Sequence, residues 1–255
     1  MDRDEIAIEF RDVSFALSSG RTLLAHLNLQ VDRGETLVLL GRSGSGKTTT
    51  MRLINRLIDP TSGEVIVNRK PTVDWDPIQL RRRIGYVIQE IGLFPHLTIE
   101  QNIGVVPRLE GWEPERIRLR ARQLLTLIGL DADRFADRYP RELSGGQRQR
   151  IGVARALAAD PPVILLDEPF GALDPITRRD IQQEFKNLQQ ELGKTMVFVT
   201  HDIAEAFVLG NRIGLLKDGE MVLLGAPADL LESDHPEARA FAGCFNDGQA
   251  TRSPA

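Results

Sequence analysis

Eight consecutive residues combine glycine, lysine and threonine in a spacing suited to holding a phosphate. They fit the pattern GxxxxGK[ST] and are Gly41, Arg42, Ser43, Gly44, Ser45, Gly46, Lys47 and Thr48. The glycines allow backbone N–H groups to turn inward onto a phosphate, and the N-terminus of a following helix adds partial positive charge. We expect Lys47 to reach the β- and γ-phosphates and the Thr48 hydroxyl to bind Mg²⁺. The pattern therefore predicts a site for a nucleoside triphosphate.

The sequence around this phosphate loop, residues 41–48, predicts a strand before it and a helix after it. Residues 37–40 read Leu-Val-Leu-Leu, which is typical of a buried strand. Residues 49–54 are typical of the first turns of a helix, which is expected to end near Asp59-Pro60. A flexible Gly/Ser turn is the simpler interpretation of the glycines alone. A strand, a loop, a Lys-Thr pair and a helix in register favour phosphate binding instead.

Two carboxylates end a second apolar strand. Residues 163–166 read Val-Ile-Leu-Leu and are followed by Asp167 and Glu168. In an enzyme with a phosphate loop, an acid at the end of a neighbouring strand holds Mg²⁺ directly or through water. The next carboxylate can orient and deprotonate an attacking water. By itself such an end is more typical of a strand meeting solvent, but together with the loop it favours a catalytic interpretation.

A second candidate anion site is formed by the pentapeptide 143–147, Leu-Ser-Gly-Gly-Gln. Ser144 is expected to N-cap a helix that runs through residues 148–159, and the two glycines expose the first N–H groups of that helix. An ordinary capped helix with a glycine hinge is the alternative for this pentapeptide taken alone.

Strands and helices alternate around these motifs as in an α/β protein. Short apolar strands separated by turns predict an antiparallel β layer over residues 6–40, and helical periodicity covers residues 99–159, including an amphipathic helix at 114–127. Further strands are predicted at 163–166, 196–199, 213–216 and 221–224, with a helix at 175–191. We therefore predict an α/β phosphate-loop fold with a mostly parallel sheet core, an N-terminal antiparallel β layer and an inserted helical subdomain at about 90–160. This domain spans residues 1–245, and 246–255 are expected to be a disordered tail.

Composition excludes several classes of protein. The chain has 255 residues, a formal net charge of −4 and a single cysteine, Cys244. The charge argues against nucleic acid as the main partner, and one cysteine allows no internal disulfide. No apolar run approaches the length of a membrane span, and residues 1–5 lack a signal-peptide core. The basic run 81–83 is interpreted as a solvated helix end.

Taken in order, the motifs resemble those of ABC-transporter ATPase subunits. The matching positions are residues 41–48, Gln89, 143–147, 163–168, 172–174 and His201, and the resemblance covers about residues 6–245. It implies a head-to-tail homodimer that binds ATP and Mg²⁺. Residues 41–49, including Thr49, would hold ATP in one subunit, and four residues of the other would close over it: Ser144, Gly145, Gly146 and Gln147.

The resemblance also implies roles for the remaining site residues. Glu168 would be the general base, Gln89 would touch Mg²⁺ and the attacking water, and His201 would contact the γ-phosphate. Asp174 would lie at the dimer seam. The implied metal-binding residues are Thr48, Gln89 and Asp167.

One position departs from the family pattern. The family usually stacks adenine on an aromatic residue of the first β layer, where this chain has Leu17. Phe15, two residues earlier, is expected on the same face of a strand, because side chains alternate along strands. The sequence leaves two positions open for the Phe15 side chain, one in the core and one against the base.

Several stretches resemble the ATPases of glycine betaine/choline-type importers. They are residues 51–58, 92–96, 101–107, 169–177 and 198–202. The resemblance implies uptake of a quaternary-ammonium osmoprotectant such as glycine betaine, choline or carnitine. It implies transmembrane permease subunits, an indirect extracytoplasmic solute-binding protein, and a peripheral position on the cytoplasmic face of the inner (plasma) membrane. C-terminal regulatory domains, which many of these ATPases carry, are expected to be absent or to lie on another subunit.

Other functions stay open at this stage. An ATPase energising transport of another solute or lipid is the closest rival, and a DNA-repair or translation ATPase or a nucleotide-switched binding module is also considered. The loop at 89–96 bears on this choice, because Ile91, Leu93 and Phe94 are apolar beside Gly92 and Pro95. Exposed apolar loop residues suggest a docking groove for a short helix of a membrane subunit. A loop folded onto its own core is the alternative.

Overall fold

The computed structural model describes residues 5–89, 92–171 and 173–250, with side chains described as far as residue 245. Contacts within the chain divide it into two compact units. The first unit comprises residues up to 80 and from 194 onward, and the second unit comprises residues 81–193. Each unit is described by itself.

The elements of the chain follow in order. They are β1 (Ile6–Ala16), β2 (Thr22–Asp32), β3 (Thr36–Leu40), α1 (Lys47–Ile54), β4 (Ser62–Val67), β5 (Lys70–Pro71), a 3₁₀ turn (Thr72–Asp74), α2 (Pro77–Arg82), β6 (Ile84–Val87), α3 (Ile99–Ile103), α4 (Val105–Leu109), α5 (Pro114–Leu127), α6 (Ala132–Phe135), a 3₁₀ turn (Pro140–Glu142), α7 (Gly145–Leu157), β7 (Val163–Asp167), α8 (Pro175–Leu192), β8 (Thr195–Thr200), α9 (Ile203–Leu209), β9 (Arg212–Lys217), β10 (Glu220–Gly225), α10 (Pro227–Glu232) and α11 (Pro236–Ala250).

The first unit contains two sheets. One is antiparallel and has the strand order β2-β1-β4-β5, and the other runs β10-β9-β3-β8 within this unit. In the second sheet β3 pairs in parallel with both β8 and β9. All five residues of β3 are buried, which is expected of a strand covered on both faces.

Strand register brings two predicted site segments of the first unit to one edge. Leu40 at the end of β3 pairs with Thr200 at the end of β8. Because the two strands are parallel, Gly41 and His201 both leave the sheet at its carboxyl edge. This is the edge at which ligands bind in open α/β sheets.

The second unit combines a parallel strand pair with helices. β6 pairs with β7, and Val87 lies opposite Leu166. α7 packs on β6 at Gly85, where a Cβ atom would come within 2.5 Å of the Ala156 carbonyl oxygen. Glycine at this position therefore allows the helix to lie directly on the strand.

The predicted α/β class, the N-terminal antiparallel layer and the parallel core are confirmed, and the helix predicted at 114–127 is observed as α5. Helix ends differ from expectation: α1 stops at Ile54, α7 stops at Leu157, and α11 continues to Ala250 inside the predicted tail. The inserted subdomain at about 90–160 and a disordered end stay predictions. Within the described ranges, no helix combines the length and apolar character needed to cross a bilayer.

Candidate nucleotide and catalytic site

The phosphate loop has no room for side chains at two of its glycines. A Cβ atom at Gly41 would lie 2.4 Å from the Leu216 carbonyl oxygen and 2.6 Å from Ser45 Oγ. At Gly46, where φ is +107°, a Cβ atom would lie 2.7 Å from Leu24 Cδ2. The loop is therefore a tight cradle whose inner surface is backbone.

Helix α1 begins at this loop without a side-chain cap. Its N-cap residue is Gly46, which adopts the left-handed conformation and provides no side-chain cap. The buried Lys47 donates from Nζ to the carbonyl oxygens of Gly41, at 2.6 Å, and Arg42, at 2.9 Å. The Ser45 hydroxyl is buried and has no hydrogen-bond partner in the part of the chain that the structure describes. An uncapped helix start, a lysine and an unsatisfied hydroxyl fit a bound phosphate.

An ion pair that the sequence did not predict joins this loop to helix α11. Arg42 Nε donates to Glu237 Oε1 at 2.6 Å, and the Glu237 side chain is only 8% exposed. The hydrogen bond with Glu237 raises the pKa of Arg42. Because 195 positions separate the two residues, no local sequence pattern could have indicated this contact.

His201 follows strand β8 and is exposed. The backbone beside it is fixed by a buried pair in which Thr200 Oγ1 donates to Glu205 Oε2 at 2.6 Å. The same hydroxyl accepts the Asp202 N–H, and Asp202 caps α9 by accepting the Ala204 N–H at 2.8 Å. The polypeptide on both sides of His201 is thus held by hydrogen bonds while its ring faces solvent.

In the second unit, two predicted catalytic residues, Gln89 and Glu168, and the predicted metal-binding residue Asp167 lie at the carboxyl ends of the parallel strands β6 and β7. Gln89 Nε2 donates to Glu168 Oε2 at 3.3 Å, which places the amide beside the proposed base. Asp167, at the end of β7, is 6% exposed, and Tyr86 Oη lies 3.5 Å from its Oδ2. The structure therefore brings the side chains of Gln89 and Glu168 together.

Glu168 adopts a strained backbone conformation. Its φ is +43°, in the left-handed region that non-glycine residues rarely occupy. The turn is closed by the Gly171 N–H, which donates to the Glu168 carbonyl oxygen at 3.1 Å. Strain of this kind costs about 1–3 kcal/mol and is typical of functional sites. The sequence pattern did not predict this conformation.

Ser144 caps α7, as expected. Its Oγ accepts the Gln147 N–H at 3.2 Å, and its own N–H donates to Gln147 Oε1 at 2.9 Å. This reciprocal pair is a capping box. A Cβ atom at Gly146 would lie 3.0 Å from Ile181 Cδ1, so Gly146 permits α7 and α8 to approach closely.

Asp174 is the N-cap residue of α8. Its Oδ1 accepts the N–H groups of Ile176, at 3.2 Å, and Thr177, at 3.1 Å. Hydrogen bonding to Thr177 lowers the pKa of Asp174. Position 172, in the same motif, lies outside the described residues.

The position expected to face adenine is an exposed turn. Strand β1 ends at Ala16, and Leu17 is 42% exposed with its N–H donating to the Arg21 carbonyl oxygen. Phe15 is half-buried and pairs with Leu24 of β2. Because Leu17 lies beyond the strand, the alternation argument that put Phe15 and Leu17 on one face does not apply to Leu17.

The loop after Gln89 is anchored by a buried amide while one of its rings is exposed. Asn102 is fully buried; its Oδ1 accepts the Phe94 N–H at 2.7 Å, and its Nδ2 donates to the carbonyl oxygens of Phe94, Leu97 and Thr98. The Phe94 side chain is 42% exposed, and Leu93 is half-buried. Ile91 lies outside the described residues. The loop therefore has a fixed backbone and presents an apolar ring to solvent.

Comparison with known proteins agrees with the motif order. The family model "ABC transporter" matches residues 24–171, which is more than half of the chain. The chain belongs to the ABC transporter family. Dimeric MJ0796, an ATP-binding cassette solved in a post-hydrolysis state with ADP and Pi, superimposes on this ABC chain with a TM-score of 0.76. The two sequences are 40% identical, over 86% of this chain and 98% of that one.

Two curated relatives of this ABC chain have names that state a transport role. The glycine betaine/carnitine/choline transport ATP-binding protein OpuCA of Bacillus subtilis is 53% identical over 89% of this chain and 59% of its own length. The osmoprotectant import ATP-binding protein OsmV of Salmonella typhimurium is 52% identical over 94% of this chain and 63% of its own length. The chain thus spans about three fifths of each of these relatives.

Proposed function

We propose that this ABC chain hydrolyses ATP to energise the import of a quaternary-ammonium osmoprotectant. The observation that carries the ATPase assignment is the phosphate loop, in which an uncapped helix start, the buried Lys47 and the unsatisfied Ser45 hydroxyl face one cradle. The nucleotide-binding residues of one chain are Gly41, Arg42, Ser43, Gly44, Ser45, Gly46, Lys47, Thr48 and Thr49. Backbone N–H groups and Lys47 bind the phosphates.

In this proposal, hydrolysis is carried out by three side chains. Glu168 accepts the proton of the attacking water, Gln89 orients that water through its amide, and His201 donates a hydrogen bond to the γ-phosphate. The hydrogen bond between Gln89 and Glu168 supports this assignment, because it places the amide beside the base. The strained Glu168 backbone supports it as well, since strain of this kind is typical of functional sites.

Thr48, Gln89 and Asp167 are the residues that would hold Mg²⁺. Hydroxyl, amide and carboxylate oxygens are ligands that Mg²⁺ prefers, and the Asp167 carboxylate lies at the end of strand β7. Bound Mg²⁺ neutralises charge on the phosphates.

We propose that the active form is a head-to-tail homodimer. Ser144, Gly145, Gly146 and Gln147 of one subunit would then cover the ATP bound by the phosphate loop of the other, and Asp174 would lie at the seam. The dimeric MJ0796 structure, which is bound to ADP and Pi, supports a dimer. The glycine-rich start of α7 supports it further, because its N–H groups carry partial positive charge suited to a phosphate.

The catalytic assignment is tested with Glu168→Gln, which keeps the shape of the side chain and removes the base. Steady-state hydrolysis should fall by about 100-fold or more, while ATP affinity measured by calorimetry stays within about twofold. Glu184→Gln, an exposed glutamate on α8, is the matched control and should hydrolyse ATP at the wild-type rate. Full turnover by Glu168→Gln would remove Glu168 as the base.

The names of the relatives support the transport role. By analogy with OpuCA and OsmV, the solutes proposed for this chain are glycine betaine, choline and carnitine. The proposed partners are two transmembrane permease subunits and, indirectly, an extracytoplasmic solute-binding protein. The proposed location is the cytoplasmic face of the inner (plasma) membrane, where the chain is a peripheral subunit.

The solute is tested by uptake. Cells that lack this gene should lose most of their accumulation of at least one of radiolabelled glycine betaine, choline or carnitine under high osmolarity. A plasmid copy should restore it, and a Glu168→Gln copy should not. Undiminished uptake of all three, with hydrolysis intact in the purified protein, would favour the rival function: an ABC ATPase that energises transport of another solute or lipid.

Phe94 is our candidate contact for the permease. Its ring is exposed while its backbone is held by Asn102, so a charged side chain can be introduced without changing the course of the loop. Phe94→Glu should leave basal hydrolysis unchanged and abolish solute uptake. Leu109→Glu, an exposed apolar residue on α4, is the control and should retain uptake. If Phe94→Glu lost hydrolysis and uptake together, the docking role would be wrong.

A further inference from the structure

In the first unit, the phosphate loop is supported by a neighbouring turn and by helix α11. The Gly219 N–H, in the turn between β9 and β10, donates to the Ser45 carbonyl oxygen at 3.1 Å. This contact involves backbone atoms, so it does not depend on the type of side chain. The ion pair between Arg42 and Glu237 depends on two side chains instead. A substitution can therefore remove the contact with α11 and leave the contact with the turn in place.

Helix α11 holds the Glu237 carboxylate in a fixed position. Glu237 is the second residue of the helix, where the helix dipole stabilises a negative charge. Its N–H donates to His235 Nδ1 at 3.2 Å, and the next residue, Ala238, is fully buried. Farther along the helix, the Phe245 ring stacks on Phe207 of α9, with 4.5 Å between the ring centroids. α11 is thus anchored to the first unit at points other than the phosphate loop.

The two members of the ion pair differ in exposure. The Glu237 side chain is 8% exposed, whereas the Arg42 side chain is 69% exposed. Among the described residues, Arg42 is the cation that pairs with this buried carboxylate. Removing the partner of a buried charge is strongly unfavourable, because the remaining charge is left uncompensated. We therefore expect the Arg42 side chain to stay with Glu237 rather than turn toward a phosphate.

The backbone of Arg42 connects this ion pair to the lysine of the phosphate loop. Lys47 Nζ donates to the Arg42 carbonyl oxygen at 2.9 Å. Because the Arg42 side chain is held by Glu237, the backbone that carries it has fewer conformations available. A loop that is already ordered loses less conformational freedom when its ligand binds, and this raises the affinity for the ligand.

We propose that Glu237 is a positioning residue for ATP binding. It holds the Arg42 side chain, and through it the phosphate loop, in the conformation that receives the triphosphate. The Arg42 guanidinium itself does not contact the phosphates. This inference rests on the proposed function, because it concerns how the phosphate loop binds ATP. It gives α11 a part in nucleotide binding, although α11 lies outside every motif of the site.

The first test is the ATP affinity of Glu237→Met, measured by calorimetry. Methionine keeps the length of the side chain and removes its oxygen atoms. The Kd for ATP should rise by about 3- to 10-fold, because a hydrogen bond between charged groups that orders the loop is lost. The Kd for inorganic triphosphate, which has no base, should rise by the same factor. Glu237→Gln retains an oxygen that accepts from Arg42 Nε, so its Kd for ATP should stay within about twofold of the wild type.

Arg239→Met is the matched control, because it removes an exposed ion pair with Asp234 from the same helix. Its ATP affinity should equal that of the wild type. In steady-state hydrolysis, Glu237→Met should raise KM by the same factor as the Kd and leave kcat within about twofold, because the loss is in binding alone. Urea denaturation of each variant ensures that affinities are compared between folded proteins. Equal ATP affinity of Glu237→Met and Arg239→Met would overturn the positioning role.

A double-variant cycle separates positioning from direct phosphate binding. Arg42→Met should raise the Kd for ATP about as much as Glu237→Met does. The double variant should raise it no further, because the two side chains act as a unit. A larger loss in Arg42→Met than in Glu237→Met would show that the guanidinium contacts the phosphates, and the proposal would then be wrong. Arg42→Met also provides the affinity test if Glu237→Met does not fold.

The ion pair itself is tested by ¹⁵N NMR of the Arg42 Nε–H group, whose signal is identified by its loss in Arg42→Met. In Glu168→Gln protein, we expect this hydrogen to exchange slowly with solvent both without and with ATP. Adding Glu237→Met should make the exchange fast. Fast exchange on ATP binding would mean that Arg42 leaves Glu237, which contradicts the proposal. A wild-type protein that does not bind ATP would overturn the proposed function and this inference together, whereas unchanged ATP binding by Glu237→Met would overturn the inference alone.

Discussion

Two helices in this molecule differ in how the backbone N–H groups of their first turns are capped. α1 begins after Gly46 with no side-chain cap, beside a buried lysine. α7 begins after Ser144 with a complete capping box, in which Ser144 and Gln147 satisfy each other's backbone N–H groups. Both starts are rich in glycine, and both carry the partial positive charge of a helix N-terminus.

The difference makes the start of α1 better suited than the start of α7 to hold a phosphate in a single chain. The first turn of α1 can be satisfied by a ligand, so it is suited to hold a phosphate in a single chain. The first turn of α7 is already satisfied in part by its own side chains, so its remaining N–H groups provide a weaker site. Such a site is expected to contribute only when a second chain brings a bound triphosphate to it.

The largest effect is expected when the lysine at the start of α1 is removed. Lys47→Ala removes the cation that donates to Gly41 and Arg42 in the loop. ATP affinity should fall by about 100-fold, because charge-assisted hydrogen bonds contribute about 1.5–3 kcal/mol each. Calorimetric titration measures this. Ser144→Ala is the matched variant at α7, and ATP should bind to its single chain as to the wild type.

The second prediction compares two loop glycines that both have positive φ. Gly46→Ala introduces a Cβ atom 2.7 Å from Leu24 Cδ2, whereas nothing lies within 4 Å of a Cβ atom at Gly44. Gly46→Ala should lower the free energy of unfolding by about 2–4 kcal/mol, since backbone strain and overpacking add, and Gly44→Ala by about 1–2 kcal/mol. Urea denaturation distinguishes them, and equal losses would contradict the described cradle.

The third prediction concerns the Ser144 cap of α7. Ser144→Ala removes the oxygen that accepts the Gln147 N–H and should lower the free energy of unfolding by about 1 kcal/mol. Ser144→Thr retains the cap and should lie within about 0.5 kcal/mol of the wild type. Thermal denaturation followed by circular dichroism checks both variants. If Ser144→Ala does not lower the free energy of unfolding, the capping box does not stabilise α7.

The smallest effect is expected for a substitution at Leu17, the position expected to face the adenine base. Leu17 is exposed in a turn after β1, so a tyrosine there has space to stack on adenine. Leu17→Tyr should tighten ATP binding by about 3- to 10-fold. The affinity for inorganic triphosphate, which has no base, should stay unchanged. If ATP affinity does not change, the base is contacted by another part of the chain.

The parts of this site that could be predicted are those encoded by short stretches of sequence. The phosphate loop, the serine cap of α7 and the acidic end of β7 are encoded within a few consecutive residues, and these elements were correctly predicted. By contrast, the Arg42–Glu237 pair joins distant parts of the chain, and the four hydrogen bonds of Asn102 depend on how a loop folds around a helix.

Two further features could not be predicted for a different reason. The positive φ of Glu168 is imposed by the closure of its turn, and sequence propensity would place a glutamate elsewhere. The early end of α1 follows from Arg56, which adopts a positive φ of 46° and donates to the Trp75 carbonyl oxygen at 2.6 Å. At Glu168 the closure of the turn overrides the local preference of the chain, and at Arg56 a contact with Trp75 does so.

The central claim is that the start of α7 completes a site that the phosphate loop begins, and that this requires two chains. It is tested most directly by analytical ultracentrifugation of Glu168→Gln at saturating ATP. The account predicts a dimer with ATP, a monomer without it, and a monomer for the double variant Glu168→Gln/Ser144→Glu. A Glu168→Gln protein that remains monomeric with ATP bound would contradict it.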